Sequence, residues 1–387
     1  MLLDERCEQL TAAMERRGEW PERSPWIRQA VDAVPRHLFA PDRLWRWDGH
    51  AYVPVDRGTD PDRWAAEVYG GPDDPAVTQV TDGRASCSLS CQAVVVDMLD
   101  SLLLEPGHRV LELGTGTGWN AALLARRVGP GQVVSVEVDQ ELAGAARARL
   151  AAVNAEVTVQ ISDGATGWPD GALYDRVIAT YAVDEVPWAW VAQTRPGGRI
   201  VTPWGRLGHV ALTVAADGRS ATGWVQGLAQ FMPARGAAPG RDLKQVRDRG
   251  LLEHADRSLA RDVQRLHQDV HLLFALRVAL PEVHIHTAVR EDGAYAWLHD
   301  GDSSWASLAP RGTGKAVASQ GGPRRLADEL ERAWDEWLAL GEPELYDYGL
   351  TVEPHRQYVW CQDADTGPRW PARATAADRA PLPASAQ

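Results

Sequence analysis

Four cysteines, Cys7, Cys87, Cys91 and Cys361, are few for a chain of 387 residues. A small disulfide-stapled scaffold needs a denser set, so that class is excluded. Cys87 and Cys91 stand four apart, but no second Cys pair or His completes a zinc set, and both read as packing residues. Long apolar runs are missing too: none approaches the about 20 residues that a membrane span requires. The start, MLLDERCEQLTAAMERRGEW, is charged and amphipathic. It has no basic segment leading into an apolar one, so no secretory signal is expected and a reducing cytoplasm is the expected location. Basic charge is short as well, with a net charge of −13. A protein that grips nucleic acid through phosphates needs a basic surface, so nucleic acid is not an expected partner, and neither is a membrane. The same acidity would suit a basic peptide, and it also simply keeps a protein in solution. No internal repeat occurs, and no H-E-x-x-H motif. His267 and His271 lie four apart on one face of a predicted helix with no acid between them in that pattern. They are not read as a zinc site. His284 and His286 alternate on a predicted strand and share a face. A metal there has no further support, and a peptide-contacting face is the alternative. No metal is expected.

What is present is an alternation of strands and helices. Residues 1–85 read as N-terminal helices closed by VPRHLFAP, then an irregular segment rich in Trp, Gly, Asp and Pro that could cover a pocket. A helix is predicted over 88–104, with serine at its start. RVLELG, VVSVEVD, VTVQISDG, YDRVIAT and RIVTPWG read as strands. Between them, WNAALLARRVG, QELAGAARARLAAVN and VPWAWVAQTRPGG read as helices, the last running into a tight turn. Such spacing builds βαβ units and a mostly parallel sheet with helices on both faces. A hairpin around Asp217-Gly218 closes this core, taken as 86–235. After the linker PARGAAPGRD, residues 236–363 read as an α+β module: a helix over 257–280, strands EVHIHTAV, YAWLH and SWASL, a helix PRRLADELERAWDEWLALG and a strand QYVWCQ. The tail 364–387 reads as disordered. The 17 tryptophans are read first as core filling, with an aromatic groove for a peptide as the sharper alternative.

The chemistry gathers in RVLELGTGTGWNAALLARRVGPGQVVSVEVD, residues 109–139. A Gly-rich turn between strand and helix lets a ligand approach bare backbone. The dinucleotide fingerprint is G-x-G-x-x-G. Here the loop Gly114-Thr115-Gly116-Thr117-Gly118 brings the third glycine one residue early. Glu112, two residues ahead of the loop, would repel a pyrophosphate but suits a ligand with an amino group and a sulfonium. Glu137 at the end of the next strand can accept both ribose hydroxyls. Asp163-Gly164 follows the third strand, placed for an adenine amino group. Trp119 directly follows the loop and is expected beside the cofactor. These residues describe an adenosyl ligand without phosphates.

The set resembles class I S-adenosylmethionine-dependent methyltransferases. The expected fold is α/β: a Rossmann-like core with a C-terminal antiparallel hairpin and an added C-terminal α+β module. VPRHLFAP (34–41), LELGTGTGWNAALLA, YDRVIAT and QTRPGGRIVTPWG, in this order and spacing, resemble the protein L-isoaspartyl (D-aspartyl) O-methyltransferase family over roughly residues 20–235. That resemblance implies S-adenosylmethionine as cofactor and a peptide carboxylate as methyl acceptor. It also implies a hydroxyl that positions the carboxylate, in a T-I-S-A-P-type block. The matching position is Ser90 in SCSLSCQAVVVDML, with Ser88 as the fallback. Ser90 reads equally as a plain helix N-cap. Cys91-Gln92 stand where the family has Ala-Pro. This departure, the added module and ELYDYGLTVEPHRQYVW resemble a branch that accompanies peptide natural products: graspetides, lanthipeptides and lasso peptides. The resemblance implies methylation of an aspartate in a ribosomally made, already cyclised precursor peptide, leading to an aspartimide or isoaspartate. An ATP-grasp ligase or another peptide-modifying enzyme is then a candidate partner. General isoaspartate repair is the alternative function, and a non-catalytic cofactor- and peptide-binding maturation subunit a further one. A nucleic-acid methyltransferase is disfavoured, because ATYAVD stands where an Asn-Pro-Pro-Tyr-like motif would hold a base.

Overall fold

A computed structural model describes residues 3–205, 207–235, 241–249, 255–312 and 314–372. The chain divides into two compact units, Met1–Arg235 with Val352–Pro354, and Gly236–Thr351 with His355–Gln387. Residues 236–240 of the expected linker lie outside the described residues.

The first unit opens with helices α1 (Leu3–Arg16) and α2 (Trp26–Ala33). Ile27, Ala30 and Val31 put one apolar stripe of α2 inward. A 3₁₀ turn over Arg36–Phe39 follows. The segment 41–85 is not irregular. It forms β1 (Arg43–Trp47), β2 (Tyr52–Asp56), helix α3 (Pro61–Val68), β3 (Ala76–Thr81) and β4 (Arg84–Leu89), with the sheet in the order β2-β1-β3-β4. Asp60 caps α3 by accepting from the Arg63 N–H at 3.0 Å. Most residues of β1 to β4 are only partly buried, so they carry little apolar alternation to read. Ladder pairing makes the strands instead. The helix expected from residue 88 starts later, as α4 (Gln92–Ser101), and its N-cap is Cys91 rather than Ser90.

The parallel core then runs β5 (Val110–Leu113), α5 (Trp119–Val128), β6 (Val133–Glu137), α6 (Gln140–Ala152), β7 (Val157–Ile161) and β8 (Tyr174–Ala179). All four residues of β5 are buried, as a central strand covered on both faces requires. Helix α7 is short (Trp188–Ala192), because β9 (Thr194–Trp204) takes up the chain through the expected turn. β10 (Gly208–Val214) and β11 (Ala221–Leu228) form the hairpin around Gly218. Strands run in the order β11-β10-β9-β8-β5-β6-β7. The pairs β9–β8, β8–β5, β5–β6 and β6–β7 are parallel. The order reverses between β5 and β8, where open α/β sheets hold their ligands.

The second unit begins with α8 (Leu243–Arg249) and β12 (Ala255–Leu259). The single helix expected over 257–280 is therefore part strand. The rest is α9 (Val263–Gln268) and α10 (Val270–Ala279), broken where Asp269 caps α10. Next come β13 (His284–Arg290), β14 (Gly293–His299), β15 (Trp305–Pro310), β16 (Ala316–Gly321) and α11 (Leu326–Ala339). The antiparallel sheet has the order β12-β16-β15-β14-β13. β17 (Tyr348–Glu353), β18 (Arg356–Cys361) and β19 (Arg369–Pro371) follow. Residues 364–372, expected to be disordered, thus include a turn and β19; the remainder of that tail, 373–387, lies outside the described residues. Trp64, Trp119, Trp190, Trp204, Trp305, Trp334, Trp337 and Trp360 are buried, which is core filling, whereas Trp47 and Trp224 are exposed. No helix among the described residues is long and apolar enough to cross a membrane.

Candidate active site

The carboxyl ends of β8, β5, β6 and β7 lie side by side on one edge of the first unit. After β5 the chain turns through the glycine loop into α5. Gly114 sits at φ +94°, and a Cβ there would come 2.5 Å from Thr180 Oγ1 and 3.0 Å from the Tyr181 ring. Gly118, at φ +92°, starts α5 and lets Ala146 of α6 pack close. The Gly116 N–H donates to Glu137 Oε2 at 2.8 Å, which ties the loop to the end of β6.

Three carboxyl groups face this edge or sit just under it. Glu112 is fully buried in β5, in register with Ser135 of β6 and Ile178 of β8. Asn120 Nδ2 donates to its Oε1 at 2.8 Å, and Ser135 Oγ donates to its Oε2. Thr115 Oγ1 meets the same Ser135 hydroxyl at 2.6 Å, linking Glu112 to the loop. Burial pushes the Glu112 carboxyl up to about 7, against the pull of those hydrogen bonds. Glu137 is 5% exposed, and its Oε1 accepts from the Asp139 N–H at 3.0 Å. Asp163 is exposed beyond β7, where its Oδ1 accepts from the Ala165 N–H at 2.9 Å and starts a 3₁₀ turn at Gly164. A phosphate group would be refused here. The loop N–H of Gly116 is already given to Glu137, and the neighbouring charges are negative. Hydroxyl and ammonium groups are the complement.

Tyr181 is a residue that sequence reasoning did not single out. Its ring lies across the edge: its hydroxyl would be 2.5 Å from a Cβ at Gly164, and its ring carbons 3.0 and 3.6 Å from one at Gly114. Trp190 braces it edge-on, at 6.2 Å between centroids, and donates from Nε1 to the Gly164 carbonyl at 2.8 Å. Burial and the nearby Asp163 and Glu137 carboxylates raise the phenol pKa, so it stays protonated.

The hairpin of β3 and β4 covers the loop. Cys87 Sγ comes 3.6 Å from a Cβ placed at Gly116. Arg235 fastens the hairpin: Nη1 reaches Asp139 Oδ2 at 2.6 Å, and Nη2 reaches the Ser86 carbonyl at 3.0 Å and Gln79 Oε1. Gln79 Nε2 closes the ring by donating to Asp139 at 3.2 Å.

Strand alternation sends Ser88 to the face opposite Cys87, away from the glycine loop. Ser90 follows the strand and is half-buried; its hydroxyl bonds no described residue. Arg36 Nη2 holds the Leu89 and Ser90 carbonyls at 3.4 and 3.0 Å. Trp119, expected at the cofactor, instead turns into the core. It is 2% exposed, donates from Nε1 to the Val34 carbonyl at 2.9 Å, and carries the Arg36 guanidinium over its ring at 5.3 Å. In the second unit His267 pairs with Thr287 at 3.0 Å, and His271 Nδ1 accepts from the Leu345 N–H at 3.1 Å. His284 and His286 both stack on His299, at 4.6 and 6.2 Å.

Comparison with known proteins places this geometry. Residues 9–226 match the family model described as Protein-L-isoaspartate(D-aspartate) O-methyltransferase (PCMT). A protein-L-isoaspartate O-methyltransferase of Methylorubrum extorquens is 38% identical over 187 residues, 48% of this chain and 69% of that protein. A protein-L-isoaspartate O-methyltransferase 1 of Archaeoglobus fulgidus is 32% identical over 221 residues, 57% of this chain and 89% of that protein. A solved protein-L-isoaspartate O-methyltransferase superposes with a TM-score of 0.52 at 21% identity, over 92% of this chain and 100% of its own. The fold is the class I methyltransferase Rossmann-like fold, with an additional C-terminal antiparallel-sheet module.

Proposed function

Because the chain belongs to the protein-L-isoaspartate(D-aspartate) O-methyltransferase family, we propose that it methylates the free α-carboxyl of L-isoaspartyl residues, with S-adenosylmethionine as donor. The observation that carries this is the strand edge itself, where Glu112, Glu137 and Asp163 gather and the loop N–H of Gly116 is taken by a carboxylate. Bound there, S-adenosylmethionine supplies a methyl on a sulfonium, which a carboxylate oxygen takes as the carbon–sulfur bond breaks and sulfur keeps the electron pair. Glu137 has acceptor capacity left for ribose hydroxyls beyond its two backbone bonds. Asp163 would hold the exocyclic amino group, and Glu112 would serve the amino-acid portion. Tyr181 gives the trough an apolar wall. The acceptor is already a nucleophile at neutral pH, so no general base is required. An anion and a cation combine into neutral products, so a site that aligns them and excludes water supplies most of the acceleration. Cys87, Leu89 and Trp119, all buried, provide the dry surroundings. The Ser90 hydroxyl is the group that orients the carboxylate.

A second reading takes the acceptor to be one aspartate of a ribosomally made, cyclised precursor peptide, whose ester then closes to an aspartimide; an ATP-grasp ligase or similar enzyme would act before it. Cys91-Gln92 in place of Ala-Pro favours it. The second unit does not discriminate, because the superposition on a protein-L-isoaspartate O-methyltransferase already extends over 92% of this chain. Mass spectrometry with purified enzyme and S-adenosylmethionine tests both. A gain of one methyl on a generic linear isoaspartyl peptide supports the first reading. Methylation confined to a cyclised aspartyl precursor, followed by loss of methanol, would replace it with the second.

A further inference from the structure

Charge and burial conflict at the corner beside Ser90. Arg36 is 1% exposed, and no carboxylate lies within ion-pair reach of it among the described residues. Burial lowers its pKa to about 10, which leaves the guanidinium charged at neutral pH. One nitrogen is used, in the bonds from Nη2 to the Leu89 and Ser90 carbonyls, and Trp119 covers a face. Nε and Nη1 are buried with no partner among the described residues. Gln92, 2% exposed and two residues past Ser90, leaves Nε2 in the same condition. Burying a cation and stranding donors are both costly. A native structure keeps such groups where something else completes them.

The three stranded atoms share a character. All are donors, and the guanidinium among them is charged, with the Asp74 carboxylate acting on it from beyond ion-pair reach. Arg36 also holds the Ser90 carbonyl, and Gln92 follows Ser90 by two residues. The complement of this cluster is a group with two acceptor oxygens and a negative charge. We propose that Arg36 and Gln92, together with Ser90, receive the acceptor carboxylate of the peptide. The proposal deepens the reading above and rests on it for the identity of the anion. Gln92 is where this chain departs from the family's usual proline, so a side-chain donor stands where that residue offers none. A consequence follows for turnover. The methyl ester is neutral, so the cluster that holds the substrate loses its charge partner once the methyl has moved, and the product leaves more readily.

The test is calorimetric binding in the presence of S-adenosylhomocysteine, with two peptides that differ in one group. One carries L-isoaspartate; the other carries the corresponding carboxamide. Wild-type protein should prefer the carboxylate. Arg36→Gln should shrink that preference about 10- to 100-fold, and Gln92→Leu about 3- to 10-fold, with S-adenosylhomocysteine affinity unchanged. Arg36→Lys keeps the charge and should retain most of the preference. Equal weakening of both peptides by Arg36→Gln and Gln92→Leu would reduce the two residues to loop supports and overturn the proposal. Should Arg36→Gln fail to fold, a Gln92→Leu protein with an undiminished preference overturns it as well. A wild-type enzyme that binds and methylates aspartyl but not isoaspartyl peptides would sink the functional reading. The aspartate and asparagine peptides then decide the role of the donors by the same comparison.

Discussion

The glycine-loop edge and the Ser90 corner belong to the same unit and are built on opposite terms. At the edge the carboxylates are satisfied: Glu112 by Asn120 and Ser135, Glu137 by the Gly116 and Asp139 N–H groups. At the corner the polar atoms are nitrogens, and three of them lack partners among the described residues. One end is an acidic, pre-organised cradle for a ligand with hydroxyls and positive charge. The other holds buried donors, which the proposed carboxylate would complete. A methyl transfer from sulfonium to carboxylate needs both, and it needs them adjacent. The difference teaches that the two ends can be disabled separately.

The largest separation should come from Glu137→Ala. Removing the acceptor of the Gly116 N–H and of the ribose should raise the Kd for S-adenosylmethionine about 100-fold. The carboxylate–carboxamide preference of the peptide end should survive, as titration of peptide at saturating cofactor would reveal. Ser90→Ala should do the reverse, lowering kcat about 30-fold for an isoaspartyl peptide with cofactor affinity intact. Loss of cofactor binding in that variant would merge the two ends into one.

Acidity offers a third handle. The Glu112 carboxyl titrates near 7 in the fold against a usual 4.5. The folded state therefore holds its proton more tightly, and the stability this gives is present below pH 4.5 and lost as pH rises through about 7. Binding of an ammonium runs the other way, since only the ionised form attracts it. Affinity for S-adenosylmethionine should rise about tenfold from pH 6 to pH 8, and Glu112→Gln should flatten the profile. A parent enzyme with flat affinity over that range would place Glu112 outside the ligand's reach. The smallest effect is expected from Tyr181→Ala, about three- to fivefold weaker cofactor binding through loss of an apolar wall. Tyr181→Phe should recover it, because the ring rather than the hydroxyl provides the surface.

The two ends also differ in how far they can be read from the chain. β5 to β8 announce themselves as short apolar runs between glycine turns, and the acids at Glu112, Glu137 and Asp163 stand at recognisable offsets from those turns. Ser90 is visible through the neighbouring blocks, but its reading as a helix cap fails because Cys91 takes that position. β1 to β4 escape notice because few of their residues are buried, which leaves no row of apolar core-facing side chains to alternate with polar ones. Tyr181 becomes a candidate site residue only through pairing of β8 beside β5, which sets its ring against Gly114. Gln92 shows in one dimension only as a departure from the family's Ala-Pro, and Arg36 carries no signal of its burial. An arginine is read as solvated until its burial is seen. Trp119 is the opposite case: its position beside the loop suggests a ligand contact, and its indole goes to Val34 and Arg36.

Arg235 is the last residue of the first unit before the chain passes to the second, and its guanidinium grips Asp139, Gln79 and the Ser86 carbonyl together. The clasp that holds the cover of the trough is thus also the point where the chain leaves it. Tension on the chain beyond residue 235 would load that clasp first, and the cover would feel the pull before any strand of the core did.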